Sequence, residues 1–191
     1  MAKIDTILCI GAAHWDIIGR VSADREDPGG DYPGTVVRRP GGVALNSAVA
    51  LCAAGLSVSL CAAIGRDDAG RSLVKRLTAS DIGCDGLLRP DGSTDSYIAI
   101  ETSAGSLLGA VADCRLLEAC GVALAQRAID LIRTHAPGRL VVDGNLPETA
   151  MRDLMAGTEE PVSILAASPA KAHRLSRLRA RHRVSLLSSR K

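Results

Sequence analysis

Three polar residues stand where chemistry could be done. Asp16 follows the apolar run Thr6–Ile10 and Gly11, Ala12 and Ala13, which are small enough to let a ligand approach the carboxyl end of that run; Asn46 comes four residues after the end of the pair Gly41-Gly42; Asn145 closes Asp143-Gly144-Asn145 behind Leu140–Val142. A carboxylate just beyond the carboxyl end of a core strand lies in the crevice where open α/β sheets hold ligands. There it can accept hydrogen bonds from two neighbouring hydroxyls of a sugar. Asn46 falls on the helical face of Gly42, one turn further in, and its amide can both donate and accept. The glycine pair removes the side chains that would keep a ligand off the backbone and leaves the first helical N–H groups pointing outward. Each position also has a structural reading of equal standing: a loop or capping aspartate for Asp16, a tight turn before a packed helix for Gly41 and Gly42, a turn-forming asparagine for Asn145.

The elements that must hold these residues follow from periodicity. Val43 to Ala54 has helix length and composition, Ser57 to Ile64 alternates at strand length, and Gly55 sits between them where a helix takes a left-handed cap. Further strands are expected at Thr6–Ile10, Leu140–Val142 and Val162–Ala166, and helices from Asp67 to about Ser80, over Val122–Thr134 and over Glu148–Ala156. Asp67 is expected to cap its helix, with Asp68 complementing the dipole, rather than to serve as an acid, base or metal ligand. Two strand pairs interrupt the alternation: Ile17–Val21 with Thr35–Arg39, and Tyr97–Thr102 with Leu107–Val111. They form either a small sheet of their own or an excursion from the core sheet of an α/β protein.

Composition narrows the class. A chain of 191 residues can bury a sizeable core. Cysteines 9, 52, 61, 84, 114 and 120 are scattered without a C-x-x-C pair, so they read as reduced thiols in a cytoplasmic protein. The amino end has too short an apolar run for a signal peptide, and nothing later is long enough to cross a membrane. Phe is absent and only Trp15, Tyr32 and Tyr97 are aromatic, so the core is aliphatic and neither nucleic acid nor membrane is an expected partner. The net charge of +2 divides into +8 from Pro161 onward and −6 before it; the basic end is read as solvated in preference to an arm for nucleic acid or acidic membrane.

The order G-G-V-A-L-N-S-A, six residues, Gly55, nine residues, Gly65 resembles the first signature of the PfkB carbohydrate kinases, ribokinase-like enzymes that phosphorylate sugars and nucleosides. The resemblance runs from about Ile7 to Arg174. Gly65 to Gly70 is similar to the family's G-x-D-x-x-G turn, and Asp143-Gly144-Asn145 to its D-x-N segment. Ala112-Asp113-Cys114 and the S-x-x-K-A turn at Ser168 to Ala172 resemble pseudouridine-kinase-like members. The resemblance implies an α/β, ribokinase-like three-layer α/β/α core with a small β-sheet lid. The lid would comprise segments of about 15–40 and 95–112 within a substrate-binding part spanning 1–175. By the same resemblance Asp16, Gly41, Gly42 and Asn46 bind a sugar or (pseudo)nucleoside, Asn145 lies near substrate and phosphates, and ATP and Mg2+ are the cofactors. The lid would close to exclude water, which protects a phosphoryl donor from hydrolysis, and would pair with a second copy.

Phosphoryl transfer also needs a triphosphate site and a base or positioning group for the attacking hydroxyl. There is no P-loop, and the family's G-A-G-D segment does not occur in these 191 residues. Its N-x-x-E stretch, which goes with metal and phosphates, is expected to be missing as well. From Ser176 the basic tail 176–191 departs from the family pattern with neither helical nor strand periodicity. That end is read as a truncated or frame-shifted continuation, leaving a bare sheet edge and self-association through the edge or the lid. Three functions are weighed: an ATP-dependent sugar or nucleoside kinase whose catalytic, ATP-binding half this chain lacks, a non-catalytic binding module or inactive remnant, and a dinucleotide-binding oxidoreductase. The last is disfavoured because Gly11-Ala12-Ala13-His14 does not make G-x-G-x-x-G. His14, beside Trp15, is expected to be a packing or loop residue.

Overall fold

A computed structural model describes residues 6–22, 30–166, 169–175 and 184–188. Ile7, Leu8, Cys9 and Ile10 are all buried, as a strand inside a parallel sheet requires. This strand, β1 (Ile7–Ile10), lies inside a six-stranded sheet whose paired strands are all parallel. On one side come β4 (Val58–Ala63) and β5 (Gly83–Leu88); on the other come β8 (Arg139–Asp143), β9 (Val162–Ala166) and β10 (Val184–Ser188). Alternating side chains divide the core into two layers. Leu8 and Ile10 pack with Leu117, Leu124, Met151 and Leu154 of α3 (Arg115–His135) and α4 (Glu148–Ala156). Ile7 and Cys9 pack with Leu45, Ala48, Leu73 and Leu77 of α1 (Val43–Ala53) and α2 (Asp68–Thr78). The chain moves outward from β1 to β4 and β5, then returns to β8 on the other flank, so strand order reverses at β1 and β8 and opens a crevice at their carboxyl ends.

The two interrupting strand pairs build a separate sheet. Its order is β3-β2-β6-β7, made by β2 (His14–Val21), β3 (Gly34–Gly41), β6 (Ser96–Glu101) and β7 (Leu107–Asp113). Register sets Asp16 opposite Arg39 and Tyr97, Ile18 opposite Val37 and Ala99, and Arg20 opposite Thr35 and Glu101, all on one face. The other face carries Val36, Ile98, Ile100 and Val111, which are 74%, 45%, 50% and 67% exposed.

Several elements differ from expectation. β2 begins at His14, so Asp16 belongs to a strand instead of a loop; its pairing partners in β3 and β6 are distant in sequence. β5, Gly-Cys-Asp-Gly-Leu-Leu, was not expected, because two glycines and an aspartate hide its alternation. α3 starts at Arg115, seven residues before the expected Val122; Gly121 interrupts its pattern because Pro147 packs where its Cβ would be, at 2.6 Å. Val184–Ser188 forms β10 within the tail, ordered by parallel pairing with β9. The rest of the tail, 176–183 and 189–191, and Ser168 of the S-x-x-K-A turn lie outside the described residues. Gly55 meets expectation: it follows α1 with φ +81°, and Leu56 N–H donates to Leu51 O at 3.1 Å alongside Gly55 N–H to Cys52 O at 2.9 Å. All six cysteines are free, and burial pushes the Cys9 and Cys61 thiols up to about 12. Among the described residues no helix is long and apolar enough to cross a membrane.

Candidate functional site

Asp16 and Gly41 occupy adjacent strands and fit one another closely. A Cβ on Gly41 would stand 2.1 Å from Asp16 Oδ1 and 2.3 Å from its Cγ, so the carboxylate lies in the space the glycine leaves. Gly41 is therefore needed for the carboxylate's position rather than for its own dihedral angles. Asp16 is 14% exposed, with His14 Nδ1 at 3.4 Å and Arg39 Nε at 3.8 Å. It opens onto a pocket of about 420 Å³ lined by Asp16, Ile18, Arg39, Tyr97, Glu101 and Leu107 among others. At the far end Arg20 donates to Glu101 Oε2 at 2.8 Å, an exposed pair.

Gly42 has a different task. Its φ is +101°, and a Cβ would meet Ala12 O at 2.4 Å, so the start of α1 presses on the backbone after β1. Leu45 N–H donates to Ala12 O at 3.2 Å and Asn46 N–H to Gly42 O at 2.8 Å. Gly11, Ala12 and Ala13, expected to leave room for a ligand, are instead packed against protein. A Cβ on Gly11 would lie 2.2 Å from Asp143 Cβ, and Ala12 N–H donates to Asp143 Oδ2 at 3.1 Å. Asp143, fully buried, also accepts from Asn145 N–H at 2.8 Å; burial pushes its carboxyl up, against the lowering effect of those two bonds.

The expected site residues are thus placed unequally. Asp16 and Gly41 touch, and Gly42 follows in the chain, but of these only Asp16 lines the pocket. Asn46 is exposed on α1. Asn145 follows β8, its backbone carbonyl accepting from Arg174 Nη1 at 2.8 Å and its buried Oδ1 without a partner among the described residues. Arg39 and Tyr97 were missed as site residues. Period-two alternation from Asp16 was the available signal, but it required the register of β2 with β3 and β6. Residues Asn145, Leu146, Pro147 and Glu148 do spell N-x-x-E, contrary to expectation. Glu148 there opens α4, where a carboxylate complements the helix dipole, and lies 3.6 Å from Arg152 Nη2.

Other polar groups are structural. Asp67 caps α2, accepting from Gly70 N–H at 2.9 Å and Thr94 N–H at 3.0 Å; burial alone would raise its carboxyl, and the bonds from Thr94 and Gly70 outweigh it and hold it low. Asp95, 5% exposed, accepts from Leu116 and Leu117 N–H at the head of α3; burial pushes it up despite these bonds. Trp15 is buried between Arg38 and Arg76, whose guanidinium carbons lie 4.0 and 5.6 Å from its ring centre, and it donates to Ala69 O at 2.9 Å. Lys171 and Arg174 both donate to Glu118 Oε1, at 3.1 and 2.9 Å. Among the described residues no group of three or more His, Cys, Asp or Glu is arranged to hold a metal.

Residues 5–111 match the pfkB family of carbohydrate kinases. The chain belongs to that family. It is 30% identical over 153 residues to the pseudouridine kinase of Escherichia coli K12, covering 79% of this chain and 48% of that protein. A carbohydrate kinase from Agrobacterium tumefaciens superposes with TM-score 0.70 at 29% identity, over 90% of this chain and 56% of the other. Arabidopsis thaliana ribokinase, in a structure complexed with ribose and ATP, shares the fold at TM-score 0.68 and 12% identity, over 89% of this chain and 57% of that one. The chain spans about half the length of the pfkB-family curated relative it matches. A parallel sheet flanked by helices on both faces is accordingly the ribokinase-like architecture, as the glycine signature implied.

Proposed function

We propose that this chain forms the substrate-binding half of a PfkB-family kinase acting on a hydroxyl of a sugar or (pseudo)nucleoside. The observation that carries the reading is Asp16: a carboxylate set in the space left by Gly41 and open to a pocket of about 420 Å³, a volume in the range of small-molecule sites. Asp16 accepts hydrogen bonds from two adjacent substrate hydroxyls, and Tyr97, Ile18 and Leu107 supply apolar contact along the pocket wall. Gly41 leaves the space that the carboxylate fills, Gly42 lets the start of α1 close on the backbone after β1, Asn46 adds a donor and an acceptor from α1, and Asn145 serves the substrate and phosphates. The second sheet acts as the lid that excludes water.

ATP with Mg2+ is the phosphoryl donor this family membership supports, and its phosphates require residues other than those described here. No catalytic base is assigned, because no G-A-G-D segment occurs in the 191 residues. The apolar outer face of the lid, with Val36, Ile98, Ile100 and Val111, pairs with a second copy of the chain. Cytoplasmic residence is supported by the free thiols. A second reading, a binding module without transfer activity, is supported by the lining of the Asp16 pocket, which does not include Asn145, the residue assigned to the phosphates.

Calorimetric titration of the full chain with D-ribose, pseudouridine and a hexose panel, alongside an ADP-release assay, tests both readings. Binding that Asp16→Ala abolishes while the fold remains supports the site; ADP release separates kinase from binding module. No binding by any sugar or nucleoside, or equal binding by Asp16→Ala, rejects it.

A further inference from the structure

We infer that His14 is a positioning residue for Asp16, donating from Nδ1 to Asp16 Oδ1 and so fixing the carboxylate's orientation toward substrate. The inference rests on the reading of Asp16 as the substrate carboxylate. His14 was expected to be a packing or loop residue, and its surroundings say otherwise. Its side chain is 12% exposed, and among the described residues its buried Nδ1 has no hydrogen-bond partner and its nearest carboxylate oxygen is Asp16 Oδ1 at 3.4 Å. A buried polar atom left unpaired costs free energy, so a partner just short of bonding distance is the natural one.

Three carboxylates interact electrostatically with this imidazole, and two are already committed. Asp95 receives the Leu116 and Leu117 N–H groups, and Asp143 receives those of Ala12 and Asn145. Among the described residues Asp16 has no such backbone bonds. Its neighbours are His14 and Arg39, the latter an exposed side chain at 3.8 Å. Gly41 removes the obstacle on its other flank. His14 and Asp16 sit two residues apart on β2, on the same face of the strand, with His14 opposite Gly41 across the ladder. An ionised carboxylate only accepts, so the contact is attractive only when Nδ1 carries a proton, and a small rotation of either side chain brings it to about 2.8 Å. A carboxylate that must meet two hydroxyls at once needs its plane fixed. His14 is the buried group able to fix it.

Long-range proton–nitrogen NMR of the full chain without ligand tests the contact directly. The chain has four histidines, and His14→Asn assigns the His14 signals. The expected result is a protonated Nδ1 whose resonance moves on Asp16→Asn. An unprotonated Nδ1, or one indifferent to Asp16→Asn, overturns the inference. Affinity for pseudouridine supplies the second readout. Asparagine places an amide donor where Nδ1 stands, so His14→Asn is expected to bind within about threefold of the parent. His14→Leu, of similar size without a donor, is expected to lose about tenfold, the loss of one hydrogen bond to a charged group. Should His14→Leu not fold, His14→Gln serves in its place, since its amide lies beyond the Nδ1 position. Equal affinity for the asparagine, leucine and glutamine variants overturns the inference. If the parent binds neither pseudouridine nor D-ribose while the His14–Asp16 coupling is present, the substrate reading fails and the positioning contact stands.

Discussion

Gly41→Ala separates two roles that adjacent glycines play. The added methyl would begin 2.1 Å from Asp16 Oδ1 and 2.5 Å from Oδ2, so the carboxylate must retreat by roughly 1.4 Å to reach an ordinary contact of about 3.5 Å. What gives way is the end of a side chain, and alanine lowers the entropy of the unfolded chain, so the fold should change by no more than about 1 kcal/mol. Binding should suffer far more. Two hydrogen bonds to a charged group, at about 1.5 kcal/mol each, correspond to roughly a hundredfold loss of affinity. Gly42→Ala should behave oppositely: its Cβ would lie 2.4 Å from Ala12 O, a backbone atom, at φ +101°, and strain with overpacking should destabilise by about 3 kcal/mol. Urea unfolding followed through Trp15, the single tryptophan and 3% exposed, gives the stabilities, and calorimetry with pseudouridine or D-ribose gives the affinities. A folded Gly41→Ala protein that binds as the parent does would refute the placement of Asp16; equal destabilisation by both substitutions would refute the division of roles.

Asp67→Ala should destabilise by about 2 kcal/mol in urea melts, because the cap of α2 and the bonds to Thr94 go together, and a loss below 0.5 kcal/mol would show that water replaces them. Burial raises the Glu118 carboxyl, but the bonds from Arg174 and Lys171 outweigh it and hold it below its ordinary 4.5. Because the folded value is depressed, this stability is present above pH 4.5 and lost as pH falls through the folded value. Glu118→Gln should therefore cost about 0.5 kcal/mol at pH 7, discounted for its partial exposure, with the gap to the parent closing as pH falls below 4.5; a pH-independent gap would count against the pairing. Ile98→Glu on the outer face of the second sheet should shift sedimentation toward monomer, and an unchanged profile would rule that face out as the contact between copies.

The features legible in the sequence were those decided within one turn or one strand. Gly55 ends α1 and Asp67 caps α2 because each acts on residues three or four positions away. The glycine signature fixed attention on Gly41 and Gly42, and the fold followed from it. What escaped notice depends on distant partners. Asp16 looked like a loop residue because its ladder neighbours, Arg39 and Tyr97, come from two other strands. Gly11, Ala12 and Ala13 looked open because Asp143, which fills that space, lies 131 residues from Ala12. β10 had no pattern of its own and takes its strand form from β9.

All four strands of the second sheet are tied to the core at the same end. β2 is pinned where Trp15 bonds Ala69 of α2, β3 runs through Gly41 into α1, β6 follows Asp95 at the head of α3, and β7 ends at Asp113 just before that helix. Mechanically this is a cantilever, and a cantilever moves least at its root and most at its tip. Asp16 and Tyr97 sit near the root, whereas Glu101, Gly105 and Leu107 line the tip side of the same pocket. If Asp16 holds the substrate hydroxyls as proposed, their recognition would be set by the end nearest the core, and the rest of the ligand would meet the end furthest from it. Substitutions toward the tip would then retune which ligand is accepted without disturbing how its hydroxyls are held, dividing an anchor from a selector along the length of the strands.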